Sequence, residues 1–227
     1  MHLETVRLRV QFKDALPKGT WPEHVRKVAL GILDDQHPTW PVVCNHRMIY
    51  PRLHYNTPDQ NSFYFTGLGT EGKDAVLALA EAFQRSSVVL AGKPMPLKAV
   101  DMRYGECTLK PTTGLQRFTL RTPIHMFEHH NRFRERTGDV ARDYQVAFKR
   151  HFGWLFQQFD LDLKAEPVVE VRDIKEAPLQ KKSGWSKWPA LVRATIITNL
   201  SLPPAIGHGV GLGWGQLQWH RGDAMYA

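Results

Sequence analysis

Eleven histidines are spread through the 227 residues, and glycine occupies every second position from residue 207 to 215. These are the residue types here that can move a proton or let a backbone close on a phosphate. Histidine titrates at about 6.5, so it can act as general acid or general base near neutrality. With eleven of them, residue type decides nothing and the neighbours must decide. His46 lies in "CNHRMIYPRLHYN", a polar stretch beside Arg47 and just ahead of an expected strand, where its ring can stay exposed. The alternative is a surface or strand histidine with no role. His37, in "LDDQHPTW", follows the first expected helix.

The segment "PPAIGHGVGLGWGQLQW" carries Gly207, Gly209, Gly211, Gly213 and Gly215, with His208 among them. Each ordered glycine costs more backbone entropy than any other residue, and strict alternation is unlike a Gly/Ser-rich linker. Successive N–H groups of such a chain can converge into a nest that binds phosphate oxygens. The P-loop template fails because no Lys-Ser or Lys-Thr pair follows Gly213 or Gly215. The dinucleotide fingerprint fails because too little chain remains for a following βαβ unit. A tight turn between two strands is the competing reading.

Two further clusters carry chemistry. "LQKKSGWSKWPALVRA" interleaves Lys181, Lys182 and Lys187 with Trp185 and Trp188. Basic side chains track a phosphate backbone while aromatics stack on unpaired bases; an exposed hairpin tip is the alternative. "HMFEHH" spaces His125 and His129 four apart, beside Glu128 and His130. The metalloprotease pattern needs Glu directly after the first His, where Met126 stands, so no metal is expected. Contact with RNA phosphates, with Arg132, Arg134 and Arg136 nearby, is one reading of this stretch, and solvated charge is the other.

These residues need elements to hold them. Val6, Leu8, Val10 and Phe12 alternate with polar residues, which predicts a half-buried strand. "WPEHVRKVALGILDD" predicts a helix opened by Pro22. Residues 41–56 and "SFYFTGL" predict two strands joined by a turn. "TEGKDAVLALAEAFQR" predicts an amphipathic helix capped by Thr70, and residues 87–104 a closing strand. The order β-α-β-β-α-β is the ferredoxin-like unit. The second half repeats it less cleanly, with one long helix over residues 138–160 and no second one. The expected fold is therefore α+β, two tandem ferredoxin-like subdomains over 1–100 and 101–227, the C-terminal one degenerate with a glycine-rich loop. The boundary is expected near residues 95–105.

A composition 42% hydrophobic supports a packed core, and a net charge of +8 with pI near 9.6 favours a polyanionic partner. Two cysteines far apart, Cys44 and Cys107, fit a reducing compartment. The alternating N-terminus is not a signal peptide, and no apolar run is long enough to span a membrane. A soluble cytoplasmic protein is expected, with no cofactor.

"TNLSLPPAIGHGVGLGWGQL" resembles the C-terminal signature of the CRISPR-associated RNA-processing endoribonucleases, the Cas6 family of the RAMP superfamily. The matching residues are Asn199-Leu200, Leu202-Pro203, Ile206-Gly207-x-Gly209 and Gly213-aromatic-Gly215. Some 160 residues earlier, Asn45, His46, Tyr50, Pro51, Leu53 and Tyr55 resemble the family's Asn-His step and following strand. There are departures. The interval between Gly209 and Gly213 is short and lacks a basic residue, His54 replaces a Gln, and Cys44 stands where some members carry a further histidine.

The resemblance implies metal-free cleavage of CRISPR repeat RNA. The ribose 2′-hydroxyl attacks the adjacent phosphorus, leaving a 2′,3′-cyclic phosphate and a 5′-hydroxyl. It makes His46 the proton-transfer residue, with His37 as understudy. Tyr50 would donate to a phosphate oxygen unless it is a buried strand tyrosine, and Arg47 and Arg52 would neutralise developing charge. RNA contacts are expected from Arg132, Arg134, Lys181, Lys182, Trp185, Lys187, Gly207, His208, Gly209, Gly211 and Gly213. The partners implied are CRISPR repeat RNA or its guide-RNA product and other Cas proteins of an effector complex, with the chain a monomer or homodimer. A RAMP protein that grips guide RNA without cutting it is the alternative, and a ferredoxin-like protein binding a small phosphorylated ligand is another.

Overall fold

The computed structural model describes residues 1–44, 50–56, 59–125, 137–177, 191–207, 210–212 and 214–220. The chain falls into two units, one made of His2–Cys107 with Gly211–Gly213 and the other of Met1, Thr108–Val210 and Trp214–Ala227.

In the first unit the alternating N-terminus forms β1 (His2–Phe12), whose Val6, Leu8, Val10 and Phe12 are fully buried. Helix α1 (Pro22–Ile32) opens on Pro22, whose missing N–H costs nothing at a first turn. Then come α2 (Trp40–Cys44), β2 (Leu53–Asn56), β3 (Ser62–Leu68), α3 (Gly69–Arg85), the hairpin β4 (Val88–Leu90) and β5 (Lys93–Met95), and β6 (Leu97–Thr108). The sheet order is β2-β3-β1-β6, with β1–β3 and β2–β3 antiparallel. Its core is aromatic: Phe63 meets Phe12 edge-on at 4.9 Å and Phe65 lies 5.4 Å from Phe83.

Two local expectations are corrected. Residues 41–56 do not form one strand, because Trp40–Cys44 turns as a short helix that buries Val43 and Cys44. Thr70 does not cap α3, which begins one residue earlier. Gly69, at φ +66°, makes the corner directly from β3, so no capping side chain intervenes.

The second unit contains β7 (Lys110–Leu120), β8 (Ile124–His125), α4 (Val140–Gln157), β9 (Val169–Ala177), β10 (Leu191–Ser201) and β11 (Leu217–Trp219); a 3₁₀ turn at Val210–Leu212 lies between the last two strands in sequence. Strand β10 pairs antiparallel with β9 on one edge and with β7, then β8, on the other. With β11 beside β7, the order β9-β10-β7-β11 repeats the arrangement of the first sheet. The N-cap of α4 is Asp139, which accepts the N–H of Arg142, and its stripe Tyr144, Ala147, Phe148, Phe152 and Leu155 is buried. Where the first unit places α3, between its third and fourth ferredoxin strands, the described residues of the second show only the glycine-bearing connection. The tandem ferredoxin-like α+β fold with a degenerate second half is the one observed. Among the described residues, no helix is long and apolar enough to cross a membrane.

Candidate nucleic-acid interface

The glycine segment is closed at its base by backbone pairing. Ile206 N–H donates to the Gly215 carbonyl at 2.9 Å, Leu217 N–H to Pro204 at 2.9 Å, and Gly215 N–H to Pro123 at 3.0 Å. Gln216 N–H adds a bond to Thr122 Oγ1 at 2.9 Å. The segment thus leaves β10 and returns to β11 through a clamped neck. Two glycines make the neck possible. Gly215 sits at φ +67°, and a Cβ there would lie 1.7 Å from the Ile206 carbonyl oxygen. Gly207 sits at φ +87°, with Ile124 Cβ 3.1 Å from where its own Cβ would be.

His151, projecting from α4, accepts the Gly207 N–H on Nε2 at 2.8 Å. Burial pushes its pKa down to about 4, so the ring is neutral and its proton sits on Nδ1. Sequence reasoning missed this residue, although His151 falls on the buried stripe of α4 and that position was the available signal. The finding alters the reading of Gly207, whose N–H is spent on His151 rather than offered to a phosphate. Gly211 is buried in the 3₁₀ turn. His208, Gly209 and Gly213 lie outside the described residues, as do Arg132, Arg134, Lys181, Lys182, Trp185 and Lys187.

His46 and Arg47 also lie outside the described residues, but both flanks of their segment are fixed. On the near side Tyr55 Oη donates to the Val43 carbonyl at 2.7 Å, and the Arg26 guanidinium donates to the Cys44 carbonyl. The Cys44 side chain is itself buried, with its thiol pKa raised by that burial. On the far side Tyr50 is 2% exposed, its ring edge-on to His54 at 5.5 Å. It takes the buried alternative, as a packing residue rather than a phosphate donor. His54 donates Nε2–H to the Pro51 carbonyl at 3.0 Å, and burial lowers its pKa to about 4. It braces the chain between Tyr50 and β2 and holds no exchangeable charge at neutral pH.

His37 stands in the turn after α1, partly exposed, with Nδ1 2.8 Å from Thr39 Oγ1 and accepting the Thr39 N–H at 3.2 Å. The neutral ring therefore carries its proton on Nε2, its other nitrogen, which can donate but not accept. Arg52 reaches Glu71 at 4.0 Å, and its carbonyl accepts the Leu68 N–H at 2.8 Å. Among the described residues no group of three His, Cys, Asp or Glu side chains is arranged to hold a metal ion.

The sequence matches no protein-family model and no curated protein. Solved structures do resemble the fold along almost the whole chain, among them Cas6 proteins and a RAMP protein. A Cas6b structure superposes at TM-score 0.73 with 15% identity, covering 97% of this chain and 100% of that one. A CRISPR RNA processing endoribonuclease Cas6b gives 0.63 at 13% identity, with the same coverage. A RAMP protein binding different RNA substrates gives 0.55 at 13% identity, again over 97% and 100%. At these identities the likeness is one of fold.

Proposed function

We propose that this chain is a metal-independent endoribonuclease that cuts CRISPR precursor RNA within the repeat, releasing guide RNA. The observation that carries the reading is the fold. Two ferredoxin sheets of the same strand order are followed by a clamped glycine loop in place of the last helix, and the whole is superposable on Cas6b. A net charge of +8 favours the RNA.

In this reading a base takes the proton of the ribose 2′-hydroxyl, and the oxygen attacks phosphorus. The bond to the 5′-oxygen breaks as an acid protonates that oxygen. His46 carries the proton transfer, on a segment whose two ends the core holds at Val43–Cys44 and at Tyr50. Arg47 stabilises the phosphate charge. His37 is the understudy for that proton transfer. Lys181, Lys182, Lys187, Arg132 and Arg134 follow the phosphates, Trp185 stacks on a base, and the outer loop residues His208, Gly209 and Gly213 approach the strand closely. The protein works in the cytoplasm with repeat RNA, alone or among other Cas proteins.

The test is cleavage of a repeat RNA from the source organism in the presence of EDTA, comparing wild type, His46→Ala and His37→Ala. A single cut, lost in His46→Ala while affinity persists, is the expected result. A wild type that binds but never cuts makes the chain a non-cleaving guide-RNA binder. Loss in His37→Ala alone moves the proton transfer there.

A further inference from the structure

Strand β6 carries none of the residues assigned to RNA processing above. It is an end strand of the four-stranded sheet, paired to β1 on one side. It runs for 12 residues, and every residue from Asp101 to Glu106 is exposed. Tyr104 is 66% exposed and Met102 41%. A long edge strand with apolar side chains in water is a template for another strand.

Natural edges are commonly blunted by charge, so charge alone would read as protection. The distribution of charge here does more. Fold the strand antiparallel onto a copy of itself about Met102, and Asp101 falls opposite Arg103, Lys98 opposite Glu106, and Val100 opposite Tyr104. Met102 then meets its own copy. Directly opposed residues in an antiparallel pair share a face and approach within about 4.5–5.5 Å at Cβ. Each of the two kinds of ion pair occurs twice across the two-fold axis, and the exposed Met102 and Tyr104 gain apolar partners. Shifting the register by one residue puts Asp101 opposite Met102 or opposite Tyr104, shifting it by two sets Asp101 or Arg103 opposite itself, and the complementarity is lost. Lys98, Asp101, Arg103 and Glu106 form no ion pair with other described residues, so all four charges are available.

We propose that β6 is a self-recognition strand. Two copies of this chain pair their β6 edges antiparallel about Met102, joining two four-stranded sheets into one of eight. The occupant of the edge is a second copy because the strand's charges complement themselves.

The experiment is sedimentation equilibrium of the full chain across a concentration series. Wild type is expected to dimerise reversibly. Asp101→Arg alone or Arg103→Asp alone sets like charges opposite each other twice per dimer and is expected to weaken association about tenfold or more. The double variant D101R/R103D restores the pairs with their signs exchanged and is expected to recover the dimer. All of these residues are exposed, so circular dichroism of each variant should match wild type. Met102→Cys in a C107S background should cross-link to itself under mild oxidation. A wild type that stays monomeric at every concentration overturns the proposal, and points to a strand of a different protein if that edge is occupied in cells. Dimerisation indifferent to the single charge reversals, or not recovered by the double, overturns it equally.

Discussion

Replacing Gly215 with alanine adds one methyl group and tests whether the neck of the glycine loop is as tight as it stands. The backbone there has φ +67°, and an alanine Cβ would sit 1.7 Å from the Ile206 carbonyl oxygen and 2.8 Å from Ile124 Cγ2. The first contact is with main chain, so no rotamer relieves it. The left-handed conformation alone costs an L-residue about 1–2 kcal/mol. Moving the Ile206 carbonyl aside also disturbs the Ile206 N–H bond to Gly215 and the Gly215 N–H bond to Pro123, each worth about 1 kcal/mol net. The sum is about 3–4 kcal/mol. Gly138, in the same unit, is the control: its φ is +90°, but nothing lies within 4 Å of where its Cβ would be. Gly138→Ala should lose only the backbone share. Urea unfolding of both variants, followed by tryptophan fluorescence, measures the difference. Equal destabilisation of the two would refute a close approach at the neck.

Three further outcomes are expected. His151→Leu leaves the Gly207 N–H without its acceptor and should cost about 1–3 kcal/mol by urea titration; an unchanged midpoint would remove His151 from the neck. His54 and His151 are held neutral with pKa values of about 4 against an ordinary 6.5. The unfolded chain therefore binds the extra protons, and the stability these rings allow is complete above pH 6.5 and is lost as pH falls towards 4. At pH 5 the loss is about 2 kcal/mol for each ring. His151→Leu should halve it, and equal wild-type midpoints at pH 7 and 5 would contradict the burial of both. Tyr55→Phe removes the donor to the Val43 carbonyl and should cost about 1–2 kcal/mol. In the proposed enzyme it should also slow cleavage more than it weakens RNA binding, because Val43 leads into the segment bearing His46; a loss of affinity alone would argue against that coupling.

Much of the fold was legible because its signals are local. The alternation of Val6 to Phe12 and the three-and-four spacing of α3 and α4 each come from one face meeting one core. The missing helix of the second half was visible as the absence of any such spacing between β10 and β11. Residues 41–44 were not legible. Val42 and Val43 favour a strand locally, and it is burial of Val43 and Cys44, held by Tyr55 and Arg26, that turns them into helix. Thr70 looked like a cap because capping was read from residue type, whereas Gly69 turns the corner through its backbone. At the candidate site, the glycines announced an unusual backbone but not the direction of their N–H groups. Gly207 points inward to a histidine 56 residues away in sequence, a pairing that only the packing of α4 reveals. Tyr50 carried two readings in sequence, and its burial selects the packing one.

The most direct test of the central claim is to ask whether the RNA supplies its own nucleophile. A repeat RNA with all ribose sugars and one with a single 2′-deoxy substitution on the nucleotide 5′ to the cut are incubated with the protein in EDTA. The account predicts one cut in the first, leaving a 2′,3′-cyclic phosphate, and none in the second at equal affinity. Cutting of the deoxy-substituted RNA at the same bond would contradict it.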